Sequence, residues 1–302
     1  MRPRKIQTSV GRKLFIALNF AFLTFTALLC LLPFVNLLAI SFSNKMPVVA
    51  REVTFYPIGF NVAAYQFILE SNAFITALIV SAKRTFLGVA VNLALIIFTA
   101  YPLSKADGEF RARKYFSWFF VVTILFQAGM IPMYLIVMYT GLMNSIWSLI
   151  LPGALPVFSM LVVMNYMRSL PQELLEASFI DGAGHFKTLF YIVLPVSTPT
   201  IATVALFSLV NHWNSWFDGM IYMNTVDKYP LQSYLRTVVI NPEAFFRNAT
   251  NVSEALSRYL GMVNARTTNA AQLFLGMIPI LAIYPFLQKY FTTGLVMGSV
   301  KG

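Results

Sequence analysis

The stretch Ser169–Pro195, SLPQELLEASFIDGAGHFKTLFYIVLP, decides how the rest of the chain is to be read. It stands between two long runs without charge, and its first half has the makings of a short helix. Ser169 and Gln172 have the spacing of a capping box, with Pro171 in the first turn, where its missing N–H costs nothing. Leu174, Leu175, Ser178 and Phe179 recur three and four residues apart, so the spacing predicts that they share one face. The cluster Gly182-Ala183-Gly184 then stops the helix. About twelve residues at ~1.5 Å each span ~18 Å, short of the ~30 Å of a bilayer core. The expectation is a helix at the membrane surface, with a small-residue face open to a partner.

Composition sets the surroundings of that stretch. Of 302 residues, 58% are hydrophobic and 11% charged, against about 25% charged in a soluble domain. The fold class is therefore an all-α integral membrane protein. The net charge of +11 would suggest nucleic acid in a soluble chain. Here it follows from basic residues kept on the cytoplasmic side of a membrane, and no nucleic-acid-binding motif speaks against that. The single cysteine, Cys30, lies in an apolar run and excludes an intrachain disulfide. Asn248-Ala-Thr and Asn251-Val-Ser match glycosylation sequons and are read as chance matches.

The chain divides by its charge-free runs. A basic N-terminus, 1–13, carries Arg2, Arg4, Lys5, Arg12 and Lys13 and precedes a first span at 14–40, too long for a cleaved signal peptide. An outer segment, 41–72, follows, and then a core of 73–302. The second span is expected at about 85–103, with Lys83-Arg84 snorkelling at its outer edge; lining a translocation path is the alternative for those two charges. Tyr115–Met167 holds no charge and is too long for one span, so it predicts a hairpin of spans at about 115–139 and 145–167. The turn of that hairpin is marked by Thr140-Gly141 and Asn144-Ser145. The loop 169–190 returns to the cytoplasm, the run Thr188–Phe217 supplies a fifth span at about 188–213, and a sixth lies at 267–288. With six spans and both termini in the cytoplasm, thirteen Lys and Arg fall inside and seven outside, the direction the positive-inside rule requires.

The opening stretch also carries a family resemblance. Glu176-Ala177-Ser178, Asp181-Gly182-Ala183 and the end Ile192 through Leu194-Pro195 resemble the EAA loop of ABC-importer membrane subunits. Ser178 stands where that pattern usually has alanine, a small-for-small departure. The C-terminus from Gln288-Lys289-Tyr290-Phe291 to Gly298-Ser299-Val300-Lys301-Gly302 resembles the tail of MalG-type permeases of carbohydrate importers. Tyr56-Pro57-Ile58-Gly59-Phe60 with Tyr65, Asn211-His212-Trp213-Asn214, and Tyr229-Pro230-Leu231-Gln232 with Leu235-Arg236 extend the likeness over almost the whole chain. Within that group it is most similar to permeases for oligosaccharides from complex polysaccharides.

The resemblance implies a type I ABC importer permease in a bacterial inner membrane, with the 169–190 loop as a cytoplasmic coupling helix. It implies a second related permease, two ATPase subunits that hold ATP and magnesium, and an extracytoplasmic solute-binding protein. Glu176, Ala177, Ser178, Asp181, Gly182, Ala183 and Gly184 would then make the coupling contact. Glu176 would pair with a basic residue of the ATPase, and Ala177 and Ser178 would permit close approach. The chain itself has no G-x-x-x-x-G-K-[ST] loop, so no cofactor is expected on it and it is not expected to be an enzyme.

Polar groups in or near the spans, Asn92, Gln127, Asn165, Asn211 and Asn214, and Trp213 as a stacking ring, are candidates for the sugar path; interhelical hydrogen bonding is the other use of such residues. A self-sufficient channel or secondary carrier would need ionisable groups buried mid-span, and apart from Lys83-Arg84 the spans carry none. A permease for a non-sugar solute stays open on sequence alone.

Overall fold

The computed structural model describes residues 9–70, 72–106, 108–126, 128–240 and 263–299. The basic residues at 2–5, Gln127, both sequons and the last three residues of the tail lie outside that set. All regular elements among the described residues are helical. The chain forms two compact units, Met1–Ser71 with Val238–Leu275 and Asn72–Thr237 with Gly276–Gly302.

The first unit begins with α1 (Val10–Ser41), whose first turn is capped by Ser9, with Oγ accepting from the Arg12 N–H at 3.3 Å. Apolar side chains are exposed around its whole circumference from Leu14 to Val35, and only Ala39 and Ser41 at its end are buried. A helix apolar on all sides is stable only in hydrocarbon or among other helices. Beyond it, α2 (Lys45–Val49) and α3 (Ala63–Glu70) fold back on its end. Ser41 Oγ and Tyr65 Oη share a hydrogen bond at 2.7 Å, and the Phe42 ring stacks on Tyr65 and Phe60 at 4.7 and 5.3 Å. Asn264 and Thr267 open the last helix with a reciprocal cap, Thr267 N–H to Asn264 Oδ1 at 2.8 Å and Asn264 N–H to Thr267 Oγ1 at 3.0 Å.

The second unit is built on α4 (Asn72–Ser104). The span expected at about 85–103 lies inside this helix, which begins at Asn72 because no residue between Asn72 and Thr85 breaks it and Arg84 finds a partner. After it come α5 (Arg113–Leu125), α6 (Met130–Tyr139), a turn with Gly141 and Asn144 in the left-handed region (φ +71° and +58°), and two 3-10 turns at 146–149 and 151–153. Then follow α7 (Val157–Arg168), α8 (Gln172–Ile180), α9 (His185–Thr188), a π-helical turn at 189–193, α10 (Leu194–Val196) and α11 (Thr198–Asn214). The unit continues through α12 (Phe217–Tyr222) and α13 (Leu231–Ile240) as far as Thr237, and α14 (Ala265–Ser299) belongs to it from Gly276 onward.

Proline sets two of the breaks. Residues 146–153 meet 157–168 at 51° where Pro156 caps α7, and residues 185–196 meet 198–214 at 81° at Ser197, between Pro195 and Pro199. By length and apolarity α1 and α4 each suffice to cross a bilayer, and the bent pairs α5 with α6, 146–153 with 157–168, and 185–196 with 198–214 each suffice together. The span expected at 267–288 falls inside α14.

Between helices in lipid there is no hydrophobic driving force, so packing depends on close approach and hydrogen bonds. The buried stripe of α4, Ser81, Arg84, Thr85, Gly88, Asn92, Ile96 and Ala100, follows helical spacing along one face. Gly88 lets the ring of His212 on α11 lie against the helix backbone, and a β-carbon there would come within 2.6 Å of ring atoms Cδ2 and Cε1. Lower on the same helix, Ile96, Ala100 and Leu103 pack with Met160, Val163, Met164 and Met167 of α7 and with Leu189, Val193 and Val204.

Candidate functional site

The decisive stretch folds as a helix held at both ends, though the start differs from the expected capping box. Ser169 ends α7 instead of opening α8: its N–H bonds to the carbonyls of Tyr166 and Asn165 at 3.0 and 3.1 Å, and its Oγ to Tyr166 O at 2.8 Å. The residue before a proline is pushed out of the helical region, so the chain opens at Leu170, and Pro171 in extended conformation caps α8. Nine residues at ~1.5 Å make a helix of ~14 Å.

The far end of α8 is a Schellman closure. Gly182 N–H reaches Phe179 O at 3.0 Å, Ala183 N–H reaches Ser178 O at 2.9 Å, and Gly182 adopts φ +77°. A side chain at Gly182 would carry the cost of the left-handed region, ~1–2 kcal/mol. Asp181 caps the helix exposed, Ala183 is half-buried, and the exposed Gly184 caps α9.

The faces of α8 differ from the sequence expectation in one respect. Ser178 is buried, 3% exposed, and its Oγ meets Thr188 Oγ1 of α9 at 3.0 Å and donates to Leu175 O at 2.7 Å. Its smallness therefore serves an internal joint, which corrects the close-approach role expected for it. Leu175 turns inward beside it, whereas Leu174 is exposed. Glu173, Glu176, Ala177 and Ile180, at spacing i, i+3, i+4 and i+7, form the outer stripe, and Ile180 is 84% exposed.

Beside α8 lies a cavity of about 560 Å³ whose lining includes Lys105, Glu109, Arg113, Arg168, Glu176 and His185. Two guanidinium groups close the C-terminal end of α4 here: Arg168 Nη2 donates to Leu103 O at 3.2 Å and Arg113 Nη1 to Lys105 O at 3.0 Å. Cations at that end complement its carbonyls and the helix dipole.

The sequence-predicted path residues separate into two groups. Asn92 is 2% exposed; with its carboxamide oriented to satisfy all its neighbours, it donates to Ala154 O and Gly88 O and accepts from Ser208 Oγ at 2.7 Å. Trp213 is buried and its Nε1 donates to Gly276 O at 3.2 Å. Both have their polar atoms engaged within the unit. Asn165, Asn211 and Asn214 are exposed, and Gln127 lies outside the described residues.

The charges at 83–84 do not snorkel together. Lys83 is exposed, but Arg84 is 2% exposed and pairs with Asp218 of α12. Nη1 donates to Asp218 Oδ1 at 3.1 Å and Ser215 O at 3.2 Å, and Nη2 to Asp218 Oδ2 and Leu149 O. One guanidinium thus ties α4 to the α11–α12 corner and to the 3-10 turn at 146–149. A buried charge persists only when paired. The sequence signal is Asp218 itself, the first charge after the run that begins at Thr188.

Comparison with known proteins agrees with this architecture. Residues 10–217 match the profile of the binding-protein-dependent transport system inner membrane component. The chain is 36% identical to the polygalacturonan/rhamnogalacturonan transport system permease protein YtcP of Bacillus subtilis, over 96% of this chain and 99% of that one. It is also 36% identical to the B. subtilis protein LplC, over 98% and 97%. Among solved structures it is similar, at TM-score 0.84 and 28% identity, to a chain of a bacterial ABC transporter that imports the acidic polysaccharide alginate, covering 94% of this chain and 99% of that one. An all-helical permease of this length, matched end to end by transport permeases, belongs to the family of binding-protein-dependent transport system inner membrane components.

Proposed function

We propose that this chain forms one half of the membrane pore of an ATP-driven oligosaccharide importer and that α8 is its coupling helix. The observation that carries the reading is the outer stripe of α8. Glu173, Glu176, Ala177 and Ile180 are exposed on a helix whose start, end and inner face are each fastened to the subunit. An isoleucine 84% exposed beside an alanine and two carboxylates suits a small cleft with basic residues at its rim. Glu176 makes the charged contact, Ala177 lets the cleft approach, and Gly182 holds the turn. Asp181, Ala183 and Gly184 shape the exit toward α9.

On this reading the chain crosses the membrane six times with both termini in the cytoplasm. A second related permease completes the pore, and two ATPase subunits bind ATP and magnesium below it. A solute-binding protein delivers sugar from outside. The substrate class follows one relative, named for polygalacturonan and rhamnogalacturonan, and a separate structural neighbour that imports alginate: an oligosaccharide from a uronate-containing polysaccharide. Exposed Asn211 and Asn214 are the path residues retained as sugar contacts, with Asn165 further along; the engaged Asn92 and Trp213 support the helices around them.

Co-purification tests the coupling assignment. Glu176→Lys and Ile180→Asp are expected to leave the chain in the membrane with its partner permease but to lose the ATPase from the complex. Retention of the ATPase at wild-type stoichiometry by both variants would overturn the assignment.

A further inference from the structure

We infer that Lys105 is a positioning residue that joins the end of α4 to the coupling helix, and that ATP-driven motion passes between them through its ammonium group. This rests on the reading of α8 given above and adds a residue to it. Lys105 lies one residue past α4 and is 7% exposed, among the most buried charged side chains described. Its Nζ has no hydrogen-bond acceptor. It stands over two rings instead, 5.0 Å from the centroid of Tyr101 on α4 and 5.4 Å from that of Phe179 on α8. It also forms an ion pair with the half-exposed Glu109, Oε2 at 3.5 Å, so its partners are two rings and one carboxylate at the rim. The His185 ring completes the cup, edge-on to Phe179 at 5.2 Å and to Tyr101 at 6.4 Å.

Surface lysines keep their head groups in water. This one gives up most of its hydration for aromatic faces, and desolvation is the condition under which a cation–aromatic contact is strongest. The choice of contact suits a moving part. A hydrogen bond weakens steeply with small changes of length and angle. An ammonium over a ring stays attracted anywhere within about 6 Å of the centroid. The C-terminal end of α8 is rigid by comparison, closed by the Schellman turn and by the Ser178–Thr188 hydrogen bond at 3.0 Å. Phe179 therefore slides or tilts under Lys105 while the attachment to α4 persists. Two further contacts keep the cation's own position fixed: Arg113 holds the Lys105 carbonyl at 3.0 Å and Arg168 holds that of Leu103 at 3.2 Å. Because α4 runs without a break from this cup to Arg84 and its pair with Asp218, displacement of α8 is delivered to the opposite end of the unit.

The test is uptake of radiolabelled oligosaccharide per ATP hydrolysed, in proteoliposomes holding the complete complex with its loaded binding protein. Lys105→Met keeps the stem and removes the charge, and is expected to lower uptake per ATP roughly three- to tenfold, the range a single desolvated cation–aromatic contact supports. Lys105→Arg, whose guanidinium also sits on aromatic faces, is expected to recover most of it. Phe179→Leu removes the ring from the other side and should resemble Lys105→Met, with the double variant no worse than either. Should Lys105→Met fail to assemble, Phe179→Leu with Lys105→Arg carries the same test. Unchanged uptake per ATP in Lys105→Met or Phe179→Leu, or fully additive losses in the double variant, would overturn the joint alone. A wild-type complex without ATP-dependent uptake would remove the proposed function and the joint with it.

Discussion

Replacement of Asp218 by alanine removes the only carboxylate that pairs with Arg84 among the described residues. The guanidinium has 3% of its side chain exposed, so it cannot recover hydration by turning outward. Two of its four polar contacts go to Asp218; the carbonyls of Ser215 and Leu149 stay but carry no charge. Breaking one partner of a buried pair costs about 3–5 kcal/mol. Asp218 is itself 23% exposed, so some water enters the gap and the lower end, about 3 kcal/mol, applies. That is a large part of a stability of roughly 5–15 kcal/mol. The assay is thermal unfolding of the purified protein in detergent, with Asp218→Ala melting well below wild type. Arg84→Met with Asp218→Leu removes both charges and is expected to recover most of the loss, since a well-packed apolar pair often matches a buried ion pair. Asp218→Ala as stable as wild type, or a double variant less stable than the single one, would refute the buried-pair account.

Gly88→Ala places a methyl group against the His212 ring and is expected to destabilise the α4–α11 contact by ~1–3 kcal/mol; adding His212→Ala should relieve part of that, measured by the same melting experiment. Gly182→Val is expected to cost ~1–2 kcal/mol at the left-handed position and, by fraying α8, to weaken retention of the ATPase on a column. Ser178→Ala leaves buried Thr188 without its side-chain partner and is expected to cost about 1 kcal/mol, with uptake falling more than sugar-independent assembly.

How much of this was legible in the sequence depended on how far apart the interacting residues lie. Gly182 ends α8 as its position predicts, because a helix terminus is settled by neighbours within five residues. The charge-free runs predict helices for the same local reason. The start of α8 departs from the capping-box spacing because Pro171 constrains Leu170 and leaves Ser169 to the preceding helix. Leu174 and Ser178 share a spacing with inward residues, yet only contact with Thr188 decides that Ser178 is the buried one. Arg84 could be flagged as a charge in an apolar run, but its partner is 134 positions away, and periodicity cannot pair them. Asn92 and Trp213 fall the same way: residue type suggests a sugar contact or a helix bond equally, and the carbonyls of Ala154 and Gly276 that they bond lie far along the chain.

The central claim, a pore half driven through α8 by a separate ATPase, is tested most directly by ATP hydrolysis of the reconstituted complex. Binding protein is added empty, then loaded with neutral or uronate-containing oligosaccharides. The account predicts stimulation by the uronate-loaded form and its loss in Glu176→Lys. Hydrolysis that no loaded form changes, or that Glu176→Lys leaves equally stimulated, would contradict it.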